Sequence, residues 1–172
     1  MRDAVFQDDI KRLRKLSNLL GFKTIVYNYK PPSDENGYMI YQAKKKKGSI
    51  VLYQHNNKTQ FILSWIHELC HAYDAAKKKF PKLKEYHAQY QDRSRNDRIE
   101  VYRYEKRELE KALLIHSLAG IKSVSPQKVV HRVADDVADY YLAIDDGKFK
   151  RGSIRRKFAR QILRTKKLKF TF

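Results

Sequence analysis

The stretch SWIHELCHAYD, Ser64 to Asp74, contains the pattern H-E-x-x-H in His67, Glu68 and His71. Positions i and i+4 share one face of a helix, so on a helical reading both imidazoles reach a single zinc ion, Zn2+. Glu68 then stands beside the water that such an ion holds and takes its proton as general base. Burying two imidazoles and a carboxylate on one helix is costly without a metal or other partners. Ile62, Trp65, Ile66, Leu69, Cys70 and Tyr73 give the same stretch an apolar flank. The pattern predicts a helix from about Thr59 to Lys79, capped by Asn56 or Asn57 and ended at Phe80-Pro81.

Upstream, Thr24 to Tyr29, Tyr38 to Ala43 and Ser49 to Gln54 are β-branched and aromatic and read as strands. Turn chemistry (Pro31 to Gly37) separates the first two, and Lys44 to Lys47 with Gly48 lie between the second and third, most simply a solvated hairpin tip, with a phosphate-binding finger as the alternative. Asp8 to Leu20 reads as an amphipathic helix stopped by Gly21. Downstream, Lys82 to Gln91 is a short amphipathic segment, and Arg98 to Ala119 reads as one long helix closed by Gly120. Ser125-Pro126 opens a helix running to about Ile144, and a basic helix covers roughly Ser153 to Lys167. The expected fold is α+β: mostly helical, with a small antiparallel sheet packed on the motif helix. Without an internal repeat or a clear linker, residues 1–172 read as one domain with a basic C-terminal helix at about 148–172.

Catalytic zinc takes three protein ligands and keeps one position open. On the long helix Val101, Leu109, Ala112, Leu113 and His116 form an apolar stripe, and Glu105 and Glu108 fall on or beside it. A carboxylate facing a core needs a positive partner there, and zinc supplies one. Glu108 is taken as the third ligand, with Glu105 as the alternative. Glu100 and Glu110 point toward the charged face with Arg103, Arg107 and Lys111, which leaves Glu100 a weaker candidate. His87, 16 residues after His71, is the remaining candidate. His55, His116 and His131 lack supporting spacing, although the position of His116 suits a core residue or a donor behind a ligand. Asp74, three residues past His71, either hydrogen-bonds a ligand's outer nitrogen or is solvated, and the solvated role is the expectation.

KGSIVLYQ followed by SWIHELCHAYD resembles a zincin metallopeptidase over about a third of the chain. Glu108-Leu109, with Ala112 and Leu113 following, resembles the E-A-x-x-F-A pattern of ImmA/IrrE-type peptidases, with Leu109 where that pattern has a small residue. HELCHA with the later His87 resembles the SprT-like proteases, although His87-Ala88-Gln89-Tyr90 departs from their H-G-x-x-F and a single cysteine excludes their zinc ribbon. The zincin resemblance implies a zinc-dependent endopeptidase acting on a protein or peptide substrate. It also implies that Ser49 to Gln54 serves as an edge strand to which an extended substrate adds. An oxyanion donor, Tyr or His, is implied as well.

The net charge of +19 points to an anionic partner. Between Lys148 and Lys169 there are 11 Lys or Arg residues and no acid. Ile154, Phe158, Ile162 and Leu163 dock that last helix, which leaves Arg155, Arg156, Lys157, Arg160 and Arg164 as candidate nucleic-acid contacts through phosphates. No groove-reading motif or aromatic stacking platform is recognisable. Both peptidase families named above work around DNA-bound proteins, which fits this charge. The rival expectation is a non-catalytic, basic nucleic-acid-binding or structural protein on a zincin scaffold. No apolar run approaches a membrane span, and MRDAVFQDDIKRLRK lacks a signal-peptide core. Cys70 is the only cysteine, so no disulfide forms within the chain, and a cytoplasmic setting is expected.

Overall fold

A computed structural model describes residues 2–29, 37–42, 45, 47–53, 57–77, 92–150, 152–165 and 167–170. The element order is α1 (Arg2–Leu19), β1 (Phe22–Tyr27), β2 (Gly37–Gln42), β3 (Lys47–Tyr53), α2 (Lys58–Ala76), α3 (Arg95–Leu109), α4 (Ala112–Ala119), α5 (Pro126–Leu142) and α6 (Ser153–Arg164). The class is α+β and mostly helical, with a small three-stranded sheet. The predicted segment at Lys82 to Gln91, with His87, lies outside the described residues, as does His55. Among the described residues no helix is long and apolar enough to cross a membrane.

The sheet is mixed rather than antiparallel, in the order β1-β3-β2. β1 runs parallel to β3, with Phe22 opposite Gly48 and Tyr27 opposite Tyr53. β2 runs antiparallel to β3, with Gly37 opposite Leu52 and Gln42 opposite Lys47. The strand just before the motif helix is therefore central, and both of its edges are paired. Its sequence carries the reason. Ile50, Val51, Leu52 and Tyr53 are all buried, the unbroken apolar run of a central strand: α2 lies over the Ile50 and Leu52 side, and on the other side Tyr27 and Tyr38 of the flanking strands crowd Tyr53. β2 alternates between half-buried and exposed residues, as an edge strand with one face toward the core does. Gly48 lets the strands close up: a Cβ there stands 2.3 Å from Phe22 Cε1 and 2.4 Å from the Ile40 carbonyl oxygen.

α2 starts where Asn57 accepts a hydrogen bond from the backbone N–H of Gln60 (3.2 Å). It lies on β2 and β3 and is buried on nearly every side, from Phe61 to Ala75. At its centre Trp65 donates from Nε1 to Ser17 Oγ (3.1 Å), which ties it to α1. The predicted long helix is two helices. The Lys111 amide bonds to the Glu108 carbonyl (3.0 Å), a tight i→i+3 turn between the end of α3 and the start of α4. This break turns Lys111 inward. Arg98 joins α3 to the end of α5 by donating to the carbonyls of Ile144 (2.6 Å) and Asp145 (2.8 Å). One hydrophobic cluster runs through Leu13, Phe22, Ile50, Trp65, Leu109, Val133 and Ile162.

Candidate metal centre

His67, Glu68 and His71 lie on α2 where it faces α3 and, through His67 and Asp136, α5. α3 is capped by Ser94, which accepts from the Asp97 amide (3.1 Å), and it carries Glu105 to the histidine pair. Glu105 Oε2 is 3.3 Å from His71 Nε2 and 3.7 Å from His67 Nε2. These three residues form one group of ligand atoms, all within 4.8 Å of one another. Donor atoms at zinc distances of about 2.0–2.1 Å stand about 3.3–3.4 Å apart in a tetrahedron, so the spacing fits. Two imidazoles and one carboxylate also fit chemically, since this donor set leaves a fourth position for water or substrate.

His67 is oriented from behind. Its Nδ1 lies 3.1 Å from Asp136 Oδ2 on α5. A proton on Nδ1 donated to that carboxylate leaves the Nε2 lone pair facing Glu105 and the centre. Arg132 fixes Asp136 in turn, with Nε 2.8 Å from Oδ1 and 2.9 Å from Oδ2, and its Nη1 donates to Gln60 Oε1 (2.8 Å). Burial alone raises the pKa of Asp136, but Arg132 and His67 more than offset it and hold the carboxyl at about 2. His71 is fixed by packing, its ring stacked on Tyr104 with centroids 5.6 Å apart at 17°. Burial pulls the pKa of His71 down, and the Glu105 carboxylate beside it, with Glu68 and Glu108 behind, raises it to about 9. Burial pushes the Glu68 carboxyl up, while His67 and His71 draw it down. An electronegative pocket that pulls protons onto its imidazoles is suited to a divalent cation.

Glu68 is buried and meets the sheet at Gly37. A Cβ on Gly37 stands 3.6 Å from Glu68 Cγ. The start of the edge strand therefore lies close to the residue with the general-base assignment.

Glu108, favoured on sequence as the third ligand, faces elsewhere. It is fully buried beside Arg107 Nε (3.3 Å) and Lys111 Nζ (3.6 Å), and burial with the neighbouring Asp74 raises its pKa to about 7. One turn of helix separates it from Glu105, and that turn decides which carboxylate reaches the histidines. Asp74 is buried rather than solvated and receives Lys111 Nζ at 2.8 Å. Glu100 is exposed and paired with Arg103 (2.6 Å). Glu110 accepts from the Lys169 amide (3.0 Å). His116 bonds through Nε2 to the Val124 carbonyl (2.7 Å), a core role away from the centre.

On α6, Arg156, Lys157, Arg160 and Arg164 are exposed. Arg155 is not presented with them. It donates to Asp139 Oδ2 (2.9 Å) and fastens α6 to α5. Sequence reasoning passed over Asp136 and Tyr104. The signal for Asp136 was present, since it falls among Val129, Val133 and Val137 on the buried stripe of α5. Tyr104 carried none beyond its place one residue before Glu105.

No protein-family model, curated protein or solved structure matches the chain. The reading of the centre rests on its own geometry and chemistry.

Proposed function

We propose that the chain is a zinc-dependent endopeptidase of the glutamate-zincin kind, with His67, His71 and Glu105 as ligands and Glu68 as general base. The observation that carries this reading is the convergence of Glu105 on the histidine pair with Asp136 behind His67. Zinc bound there supplies Lewis acidity toward a peptide carbonyl and a water. Glu68 takes the water's proton and passes it to the leaving amine, and its burial raises its proton affinity, which favours the first of these transfers. β2, not β3, is the strand to which an extended substrate adds, because its outer edge is unpaired among the described residues and its first residue lies close to Glu68. Moving the ligand from Glu108 to Glu105 withdraws the E-A-x-x-F-A match from the ligand position. What supports the broader zincin reading is H-E-x-x-H with a glutamate on a later helix.

The test is zinc content and cleavage of denatured casein by wild type, Glu68→Gln and His67→Ala. Expected are about one zinc per wild-type chain, zinc retained but cleavage reduced about 10²–10⁴-fold in Glu68→Gln, and zinc lost in His67→Ala. Cleavage by Glu68→Gln at the wild-type rate overturns the mechanism. The charge of +19 favours a second reading, a non-catalytic nucleic-acid-binding protein on the same scaffold. Absence of zinc together with unchanged DNA binding by His67→Ala selects it.

A further inference from the structure

The three strands bring together tyrosines that lie far apart in the chain. Tyr27 at the end of β1 pairs in register with Tyr53 at the end of β3, so their side chains leave the same face of the sheet. Tyr38 of β2 lies opposite Val51, which puts it on that face too. Tyr53 is the hub: its ring centroid is 5.9 Å from Tyr27, 5.9 Å from Tyr29 and 6.3 Å from Tyr38. Tyr53 itself is buried, while Tyr27 and Tyr38 are each 38% exposed and Tyr29 58%. Sequence reading found no aromatic platform because these rings are scattered over 27 positions and only the register assembles them.

The other end of this face is basic. Lys23 lies opposite Ser49, two residues before Val51, and Lys47 opens β3; both are exposed. Between them and the tyrosines the face carries Ile25, Val51 and Ile40, and no carboxylate stands on it among the strand residues. α2 covers the opposite side, where Ile50 and Leu52 are buried.

We infer that this outer sheet face binds single-stranded nucleic acid, with unpaired bases stacked on Tyr27, Tyr29 and Tyr38 and phosphates led along Lys23 and Lys47. Two properties of the face select this occupant. Exposed aromatic rings offer stacking surfaces that any unpaired base can use and that a closed duplex cannot reach. Among the described strand residues of this face the charged groups are the cations Lys23 and Lys47, on a chain of charge +19, which attracts a polyanion and repels a second copy of the chain. From Lys47 to Tyr53 the face is about 20 Å long, room for a few nucleotides of extended strand. The site is separate from the exposed basic residues of α6, which read phosphates whether or not the bases are paired.

The experiment is fluorescence anisotropy of a labelled oligothymidine of about 12 nucleotides, and of a duplex of equal length, across a salt series. It uses wild type, Tyr29→Ala/Tyr38→Ala and Tyr29→Phe/Tyr38→Phe. The alanine pair is expected to lose about five- to a hundredfold in single-strand affinity with duplex binding unchanged, and the phenylalanine pair to bind as wild type. Ultraviolet crosslinking of wild type to the same oligothymidine is expected to mark peptides holding Tyr27, Tyr29 or Tyr38, a readout that needs no variant to fold. Equal single-strand binding by wild type and the alanine pair overturns the inference. So do crosslinks confined to α6, or a wild-type dimer in sedimentation that the alanine pair abolishes, which assigns the face to a protein contact instead.

Discussion

At the scale of single residues, two buried carboxylates three positions apart on α3 have opposite chemistry because of what faces them. Glu105 meets two imidazoles, whereas Glu108 meets Asp74, Lys111 and Arg107. Asp74 Oδ1 and Glu108 Oε2 are both buried without a donor unless one of the two acids keeps its proton. Burial and the neighbouring Asp74 raise Glu108 to about 7, while Lys111 helps hold Asp74 down. A raised folded-state pKa adds stability that is full below the unfolded value of 4.5 and lost as pH rises through 7. Stability in urea is therefore expected to fall from pH 4.5 to 7, by at most about 1.4 kcal/mol per pH unit from this proton. Glu108→Gln, compared on zinc-loaded protein, flattens that decline. A curve for Glu108→Gln that parallels wild type refutes the retained proton. Behind the other histidine, Asp136→Asn keeps shape but weakens the pull on His67. Zinc affinity is expected to drop about 10–100-fold, measured by competition with a chelator.

Among the elements, legibility followed periodicity. The motif helix and the helix opened by Ser125-Pro126 were readable because apolar spacing and caps agree. The unbroken run Ile50 to Tyr53 was readable as a strand, but its central place depends on β1 and β2 flanking it, which no local pattern states. The α3–α4 break was hidden, since Glu110 and Lys111 are ordinary helix formers, and their partners in the fold, the Lys169 amide and Asp74, come from distant parts of the chain. The same register logic makes Gly48 a weak point. A methyl group at Gly48 collides with the Phe22 ring and the Ile40 carbonyl on opposite neighbours. Gly48→Ala is expected to cost about 1–3 kcal/mol in equilibrium unfolding, and an unchanged urea midpoint contradicts the packing described.

For the molecule as a whole, the candidate centre is assembled from three helices, so an ion bound there would stabilise their packing as well as supply the proposed chemistry. His67 and His71 come from α2, Glu105 from α3 and Asp136 from α5. With free zinc about 1,000-fold above its dissociation constant, binding adds about 4 kcal/mol. For a chain of this size that amounts to a melting temperature about 8–16 °C higher. Stripping the metal with a chelator is expected to lower the melting temperature by that amount, and re-adding zinc to restore it. A melting curve indifferent to both treatments argues against a metal at this centre.

The bond from His67 to Asp136 spans 69 residues of chain. A ribosome adds about 5–20 residues per second, so the histidine is made about 3–14 seconds before the carboxylate that aims it. During that interval the nascent chain holds H-E-x-x-H without its orienting partner, and α5 is the last segment of the centre to be synthesised. Mature geometry at the histidine pair is a late event in the making of this protein.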